Sequence, residues 1–263
     1  MDMTGSLGGS LDVAQVVLYA FWIFFAGLIW YIRQEDRREG YPLEDDVTGK
    51  YSKDPWLFVP DKKTFVLPHG QGVKKVPDLK RDERPLNAKR TAKGPGYPLV
   101  PEGNPLLAGV GPGAWAERSD TPDLTAHGDA RIVPMRTAEG FDIAEGETNP
   151  IGLTVIGCDG KAAGTVKDVW VDRAEHLIRY YEIEVEGGPA SSLLPNNFVV
   201  IKGGNARGRA PHLYVHAITS GQFVDVPARA KEEMVTLLEE DKIAAYFGAG
   251  LLYALRDRQE AFL

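Results

Sequence analysis

The sequence predicts a single N-terminal membrane-spanning helix followed by a mainly β domain, a small antiparallel barrel, with a short C-terminal helix. Three observations predict it. Val13 to Ile32 is a run of twenty residues without a charge. Residues 132–220 hold short β-rich segments separated by turn signals. Near residue 236 the spacing T-x-x-E, Thr236 to Glu239, opens a last helical run.

The apolar run, VAQVVLYAFWIFFAGLIWYI, lies between Asp12 and Arg33. At the helical rise these flanking residues sit roughly 31 Å apart, the thickness of a bilayer's hydrocarbon core. Its Val, Leu, Ile and Phe side chains together favour insertion by on the order of 3 to 6 kcal/mol. Gln15 lies near one end, within reach of water, and Trp30 and Tyr31 lie at the other, where amphipathic rings favour the interface. No Lys or Arg precedes the run and no small-residue cleavage site follows it, so the segment 12–33 reads as a permanent anchor rather than a secretory signal. Arg33, Arg37 and Arg38 follow the run, whereas only Asp2 and Asp12 precede it. This bias places the tail 1–11 outside and the bulk of the chain in the cytoplasm. Ala20 and Gly27, on nearly one face, allow another helix to approach, although lipid-facing variation explains them equally well.

A net charge of −7 argues against nucleic acid as a partner. The single cysteine, Cys158, rules out an internal disulfide framework and reads as a small buried side chain in a reducing compartment. The 29 glycines and 18 prolines crowd between residues 40 and 160, which excludes long helices there. In residues 34–131 the apolar pieces WLFVP, KTFVLPHG and YPLVP are cut by Pro and Gly. Trp56, Phe58, Phe65, Tyr97 and Trp115 are too many large anchors for a disordered segment. The stretch is therefore expected to be an extended arm lying on partner proteins.

In the β region, TVKDVWVD (165–172) is strand-like, and RYYEIEVE (179–186) alternates Tyr181, Ile183 and Val185 against charged residues. Leu193-Leu194, NFVVIK (197–202) and LYVHAI (213–218) follow, with Asp159-Gly160 and Gly187-Gly188 as turns. Five or six short strands at this spacing predict an antiparallel barrel or sandwich. In the C-terminal segment 221–263, the helix is expected over about 236–247, ended by Gly248 and Gly250.

The chain holds no P-loop, dinucleotide fingerprint, zinc-protease or serine-elbow motif, and no nucleophile–base pair can be assembled. A non-catalytic protein is expected. His212 and His216 share a strand face, but four residues span about 13 Å, too far to chelate one ion. The titratable groups worth following are His127 and Asp129 in TAHGDAR, Glu175 and Arg179 in VDRAEHLIR, and the neighbouring Asp123 and Asp172. On the residues alone, the first pair is a polar loop and Glu175-His176 a solvated turn.

FWIFFAGLIWYIRQEDRREGYPLE, KTFVLPHG, GNPLLAGVGPGAW, RIVPMR, AEGETNPIGLTVIGCDG, AGTVKDVWVDRAEHLIRYYEIEV and VTLLEEDKIAAYFGAGLLYA occur in this order. Over nearly its whole length the chain resembles the H subunit of the purple-bacterial photosynthetic reaction centre, and its strand region is similar to the PRC-barrel. The resemblance implies L and M subunits that hold bacteriochlorophyll, bacteriopheophytin, a non-haem iron and two quinones, with no pigment on this chain. The absence of His from the apolar run, the usual ligand of chlorophyll magnesium, agrees. It further implies a bacterial inner (intracytoplasmic or chromatophore) membrane, a periplasmic N-terminus, and contacts with light-harvesting ring polypeptides and membrane lipids. The implied work is to stabilise the L/M core, shield the quinone sites and help deliver cytoplasmic protons to the secondary quinone.

A proton path needs titratable groups within hydrogen-bond reach of one another, and His titrates nearest neutrality. The resemblance implies that His127 and Asp129 form a surface proton-entry and transition-metal patch. It makes Glu175 an interior carboxylate on the path, with Arg179 its charged neighbour and Asp172 and Asp123 beside them. The family pattern has two histidines and an aspartate at the patch. Here Thr125, His127 and Asp129 supply one imidazole and one carboxylate at most, a weaker metal site. The rival reading is a membrane-tethered PRC-barrel adaptor without a role in proton transfer, which lets the arm 41–131 move freely.

Overall fold

The computed structural model describes residues 6–7, 11–52, 56–78, 80, 83–185, 187–188, 192–204 and 210–259. It contains two compact units, Met1–Arg84 with Lys93–Gly96, and Pro85–Ala92 with Tyr97–Leu263.

In the first unit, the short strands β1 (Ser6–Leu7) and β2 (Leu11–Asp12) pair antiparallel; most of the tail 1–11 lies outside the described residues. The charge-free run forms α1 (Val13–Glu35), which covers the span expected over 12–33; RQEDRREG was expected to carry the helix on to Gly40, but its α-helical part ends five residues short of that glycine. Gln15 assists the start of the helix, where its Oε1 accepts the Asp12 N–H at 3.5 Å. No side chain of α1 is buried within the chain, as a lipid-facing span requires. A 3-10 turn over Asp36–Arg38 follows. The helix end is tied down: Gln34 Nε2 donates to Leu57 O at 3.2 Å, Arg38 donates to Asp61 O at 2.7 Å, and Lys63 pairs with Glu35 at 2.6 Å. Next come the antiparallel strands β3 (Lys63–Val66) and β4 (Val73–Val76). Their turn uses left-handed backbone at His69, φ 54°, and Gly70, φ 70°. The Trp56 side chain lies outside the described residues.

The second unit opens with the hairpin β5 (Ala88–Arg90) and β6 (Leu99–Pro101). Its sheet comprises β7 (Ile132–Pro134), β8 (Thr154–Ile156), β9 (Ala162–Asp172), β10 (Leu177–Val185), β11 (Ser192–Pro195), β12 (Val199–Lys202) and β13 (His212–Val215). The order is β11-β10-β9-β8-β13-β12, with β7 also on β9. All neighbours are antiparallel except β8 and β13, which run parallel. Eleven residues make β9 long enough to take β8 at its start and β7 at its end on the same edge. The expectation omitted these two strands, each only three residues long and set among Gly and Pro. Between them the strands bury Val166, Val169, Trp170, Ile183, Leu194 and Leu213 with Phe223, Ile243 and Phe247 in one core.

The last helix corrects an expectation. α2 runs Leu237–Tyr253, well past the proposed stop at about 247. Gly248 and Gly250 lie inside it because neighbours press on it: a Cβ at Gly248 would meet Pro112 O at 2.8 Å, and one at Gly250 would meet Ala217 O at 2.7 Å. These glycines serve close packing, not termination. At the other end the T-x-x-E spacing works as a capping box, with Glu239 N–H on Thr236 Oγ1 at 3.2 Å and Thr236 N–H on Glu239 Oε2 at 2.8 Å. Leu237 and Leu238 donate to Thr121 O and Ser119 O at 3.0 and 3.2 Å, so every free N–H of the first turn has an acceptor.

The stretch 34–131, expected as one arm, thus falls into two parts. Residues up to 84 belong to the first unit. The part from Tyr97 onward folds on its own domain: Leu106 joins the core, and Lys242 stacks on Trp115 at 4.8 Å.

Candidate functional site

The β9–β10 hairpin carries two ionic clusters. The first forms around the turn. Asp172, the last residue of β9, is fully buried. Its Oδ1 accepts the N–H groups of Ala174 and Glu175 at 2.9 Å each, which fixes the turn. Arg131 Nε donates to both Asp172 oxygens at 3.0 Å, and Arg179 Nε donates to Oδ2 at 3.2 Å. Arg131 also reaches Asp123 Oδ2 at 3.3 Å through Nη1 and pairs with Glu175 through Nη2. Arg179 Nη2 holds the other Glu175 oxygen at 3.1 Å. Burial works against ionisation of Asp172, but the Arg131 and Arg179 guanidiniums and the two N–H groups prevail and hold its carboxyl below the usual range. Arg131 is in turn raised, mainly by its hydrogen bonds to Asp172.

His127 and Asp129 lie on the loop that delivers Arg131. Arg131 N–H bonds Asp123 O at 2.8 Å and Thr125 N–H bonds Asp129 O at 2.8 Å, so the chain doubles back. Gly128 N–H on Thr125 O closes the tip at 3.0 Å. Both His127 and Asp129 are exposed there, and among the described residues neither side chain has a hydrogen bond or ion pair. Beyond the turn, Tyr180 donates its hydroxyl to Glu240 Oε2 at 2.7 Å. Burial raises the Glu240 carboxyl against that bond, and the nearby Asp123 charge adds to the rise.

The second cluster lies farther along the same strands. Asp168 and Glu182 are directly opposed in the β9–β10 register, and both are buried. Like charges in that position repel. Arg136 Nη1 resolves the conflict, donating to Asp168 Oδ2 at 2.9 Å and to Glu182 Oε2 at 2.7 Å. Trp170 Nε1 donates to Glu182 at 3.0 Å, Arg229 pairs with it at 3.6 Å, and the Arg229 guanidinium stacks on the Trp170 ring at 4.5 Å. Burial opposes ionisation of Glu182, yet Arg136, Trp170 and Arg229 hold it at about 2.

Residues 5–137, half of the chain, match the family model described as the photosynthetic reaction centre H-chain N-terminal region. Residues 144–210 match the PRC-barrel domain. The chain belongs to the H-chain family of the photosynthetic reaction centre. It is a membrane-anchored reaction-centre subunit, with the barrel domain that the strand pattern predicted.

Of the six residues singled out in this H chain, the fold brings Asp123, Asp172, Glu175 and Arg179 into one cluster and leaves His127 and Asp129 on the surface of the loop leading to it. Among the described residues, no group of three or more His, Cys, Asp or Glu side chains is placed to hold a metal. The residue that sequence reasoning missed is Arg131, which joins three of the carboxylates. Its signal was its place in the same TAHGDAR segment, immediately before a strand that pairs with Asp172.

Proposed function

We propose that this H chain stabilises the L and M subunits, shields their quinone sites and helps deliver cytoplasmic protons to the secondary quinone, without catalysing electron transfer itself. In this reading the bacteriochlorophyll, bacteriopheophytin, non-haem iron and quinones belong to the partners. The bulk of the chain faces the cytoplasm of a bacterial inner membrane, and light-harvesting polypeptides and lipids surround α1. The arm through residue 84 docks on the partner subunits.

The observation that carries the proton role is the Arg131 clamp, which holds the Asp123 and Glu175 carboxylates on one guanidinium. His127 and Asp129, exposed at the loop tip, collect protons; His is suited to this because it titrates near neutrality. Asp123 accepts from them through water, and Glu175 passes the proton inward. Asp172 stays ionised and serves as a fixed anion that favours protonation of its neighbours, while Arg179 orients Glu175. His127 with Asp129 can also take up a transition-metal ion weakly, which would block entry.

The test is flash-induced proton uptake, followed with a pH dye in purified complexes. Glu175→Gln slows uptake by about a hundredfold, the lower end of the range for a lost proton-transfer group. His127→Ala slows it by about half, because Asp129 still collects. Uptake at the wild-type rate in both variants would leave this subunit a scaffold and favour the adaptor reading.

A further inference from the structure

On the β9–β10 hairpin, a cavity of about 270 Å³ shares no lining residue with the Arg131 cluster, and the proton-delivery reading makes no use of it. Its floor is apolar: Met135 after β7, Val171 of β9, Ile178 and Tyr181 of β10, and Ile201 of β12. The loop before β8 brings Phe141, Asp142 and Glu147 to its rim, and the hairpin turn brings His176. The volume lies just below the roughly 300–1,000 Å³ of sites for drug-sized ligands, so it suits one ring with a short chain and not a nucleotide.

The walls are held in place. Tyr181 Oη donates to Asn196 Oδ1 at 2.9 Å. The His176 N–H donates to Asp172 O at 2.8 Å, and His176 has left-handed backbone, φ 55°. A side chain in that conformation is uncommon and costs strain. Here the imidazole lies flat against Phe141, with ring centres 5.2 Å apart and planes 15° apart. The rim also carries one sign of charge. No Lys or Arg lines the cavity, and none occurs between Arg136 and Lys161, whereas Glu139, Asp142, Glu145 and Glu147 follow one another in the loop. Asp142 Oδ1 accepts the N–H of Ile143 at 2.7 Å, and among the described residues neither Asp142 nor Glu147 has an ion pair. Two unpaired carboxylates beside an aromatic wall and above an apolar floor are complementary to a cation with an apolar body. The same carboxylates repel an anion.

We propose that this cavity binds a small organic ammonium ion carrying one aromatic ring, with the ring on Ile178, Tyr181 and Ile201 and the ammonium at Asp142 and Glu147. The site goes beyond the proton-delivery reading and does not depend on it.

The test uses whole pigmented complexes at about pH 8, above the usual imidazole range. The probes are 2-phenylethylammonium and its neutral isostere 2-phenylethanol. Hydrogen–deuterium exchange read by mass spectrometry locates binding on this chain, apart from any site on the partners. The ammonium protects segments 141–148 and 176–181 at about tenfold lower concentration than the alcohol does, the scale of two exposed charge contacts and one cation–π contact. Asp142→Asn with Glu147→Gln removes that preference, and Glu147→Asp keeps it. Glu139→Gln, the same charge change in the same loop but outside the cavity, shifts it less than about twofold. Ala144→Trp, at the exposed mouth, abolishes protection by both probes, and copurification with pigment verifies that each variant assembles. Four results would overturn the proposal: no protection by the ammonium, equal protection by the two probes, a preference that survives the double substitution, or a mouth already protected without any probe because a partner chain covers it.

Discussion

Asp172 and Glu182 lie on the same hairpin, each buried and each held by two arginines, yet their surroundings set them to different work. Around Asp172 the other acids are open to water: Glu175 and Asp123 keep 49% and 40% of their side-chain surface exposed. Around Glu182 the second acid, Asp168, keeps only 6%, and Arg229 only 4%. The carboxylates beside Asp172 are open to water, whereas both carboxylates of the second cluster are buried. Charge alone does not make a proton path; it needs carboxylates that reach both water and one another.

The largest effect that separates the clusters is expected from Glu182→Ala. It leaves Arg136, Arg229 and Trp170 Nε1 without their shared acceptor. Breaking one partner of a buried ionic network costs about 3–5 kcal/mol. The thermal unfolding midpoint of the complex, followed by circular dichroism, should fall sharply, with loss of this subunit on purification. Glu175→Ala, in the open cluster, should cost no more than about 1 kcal/mol by the same measurement.

Next comes acid. The Glu182 carboxyl is lowered from 4.5 to about 2 in the folded chain. A lowered carboxyl contributes stability that is present above its unfolded value and lost as pH falls through the folded one. Glu182 therefore adds about 3 kcal/mol at neutral pH, lost between about pH 4.5 and 2. In Glu182→Gln, acid titration of stability should be flatter across that window. Asp172, also lowered, adds to the same acid limb.

A smaller effect tests the helix. An exposed Gly→Ala in a helix usually stabilises by about 0.5–1 kcal/mol. Gly250→Ala should instead destabilise by about 1–3 kcal/mol, because the new methyl meets Ala217 O and Ile218. Denaturant midpoints of the assembled complex decide the sign. The smallest effect is His127→Ala, which should leave stability within about 0.5 kcal/mol while slowing proton uptake.

What was legible in the sequence was local. Twenty uncharged residues announce a span whatever they pack against, and Thr236 with Glu239 caps its own helix. The misreadings came from contacts between distant segments. Gly248 and Gly250 look like a stop signal until Pro112 and Ala217 are seen against the helix. Glu182 reads as the polar side of an alternating strand. Shifts in register between Ile178 and Tyr180 and between Glu182 and Ile183 break the alternation, and Glu182 is buried. Arg131 was invisible as a hub because its role depends on β7 pairing with the end of β9. Four of the six site residues converge, but the residue that joins them had to come from the fold.

The most direct measurement of the central claim is the rate of second electron transfer to the secondary quinone in Glu175→Gln complexes, with and without a small diffusible weak acid. The account predicts an unchanged first electron transfer, a slowed second one, and recovery as the weak acid replaces the missing carboxyl. A second transfer at the wild-type rate, or a slowed one that the weak acid leaves untouched, would contradict it.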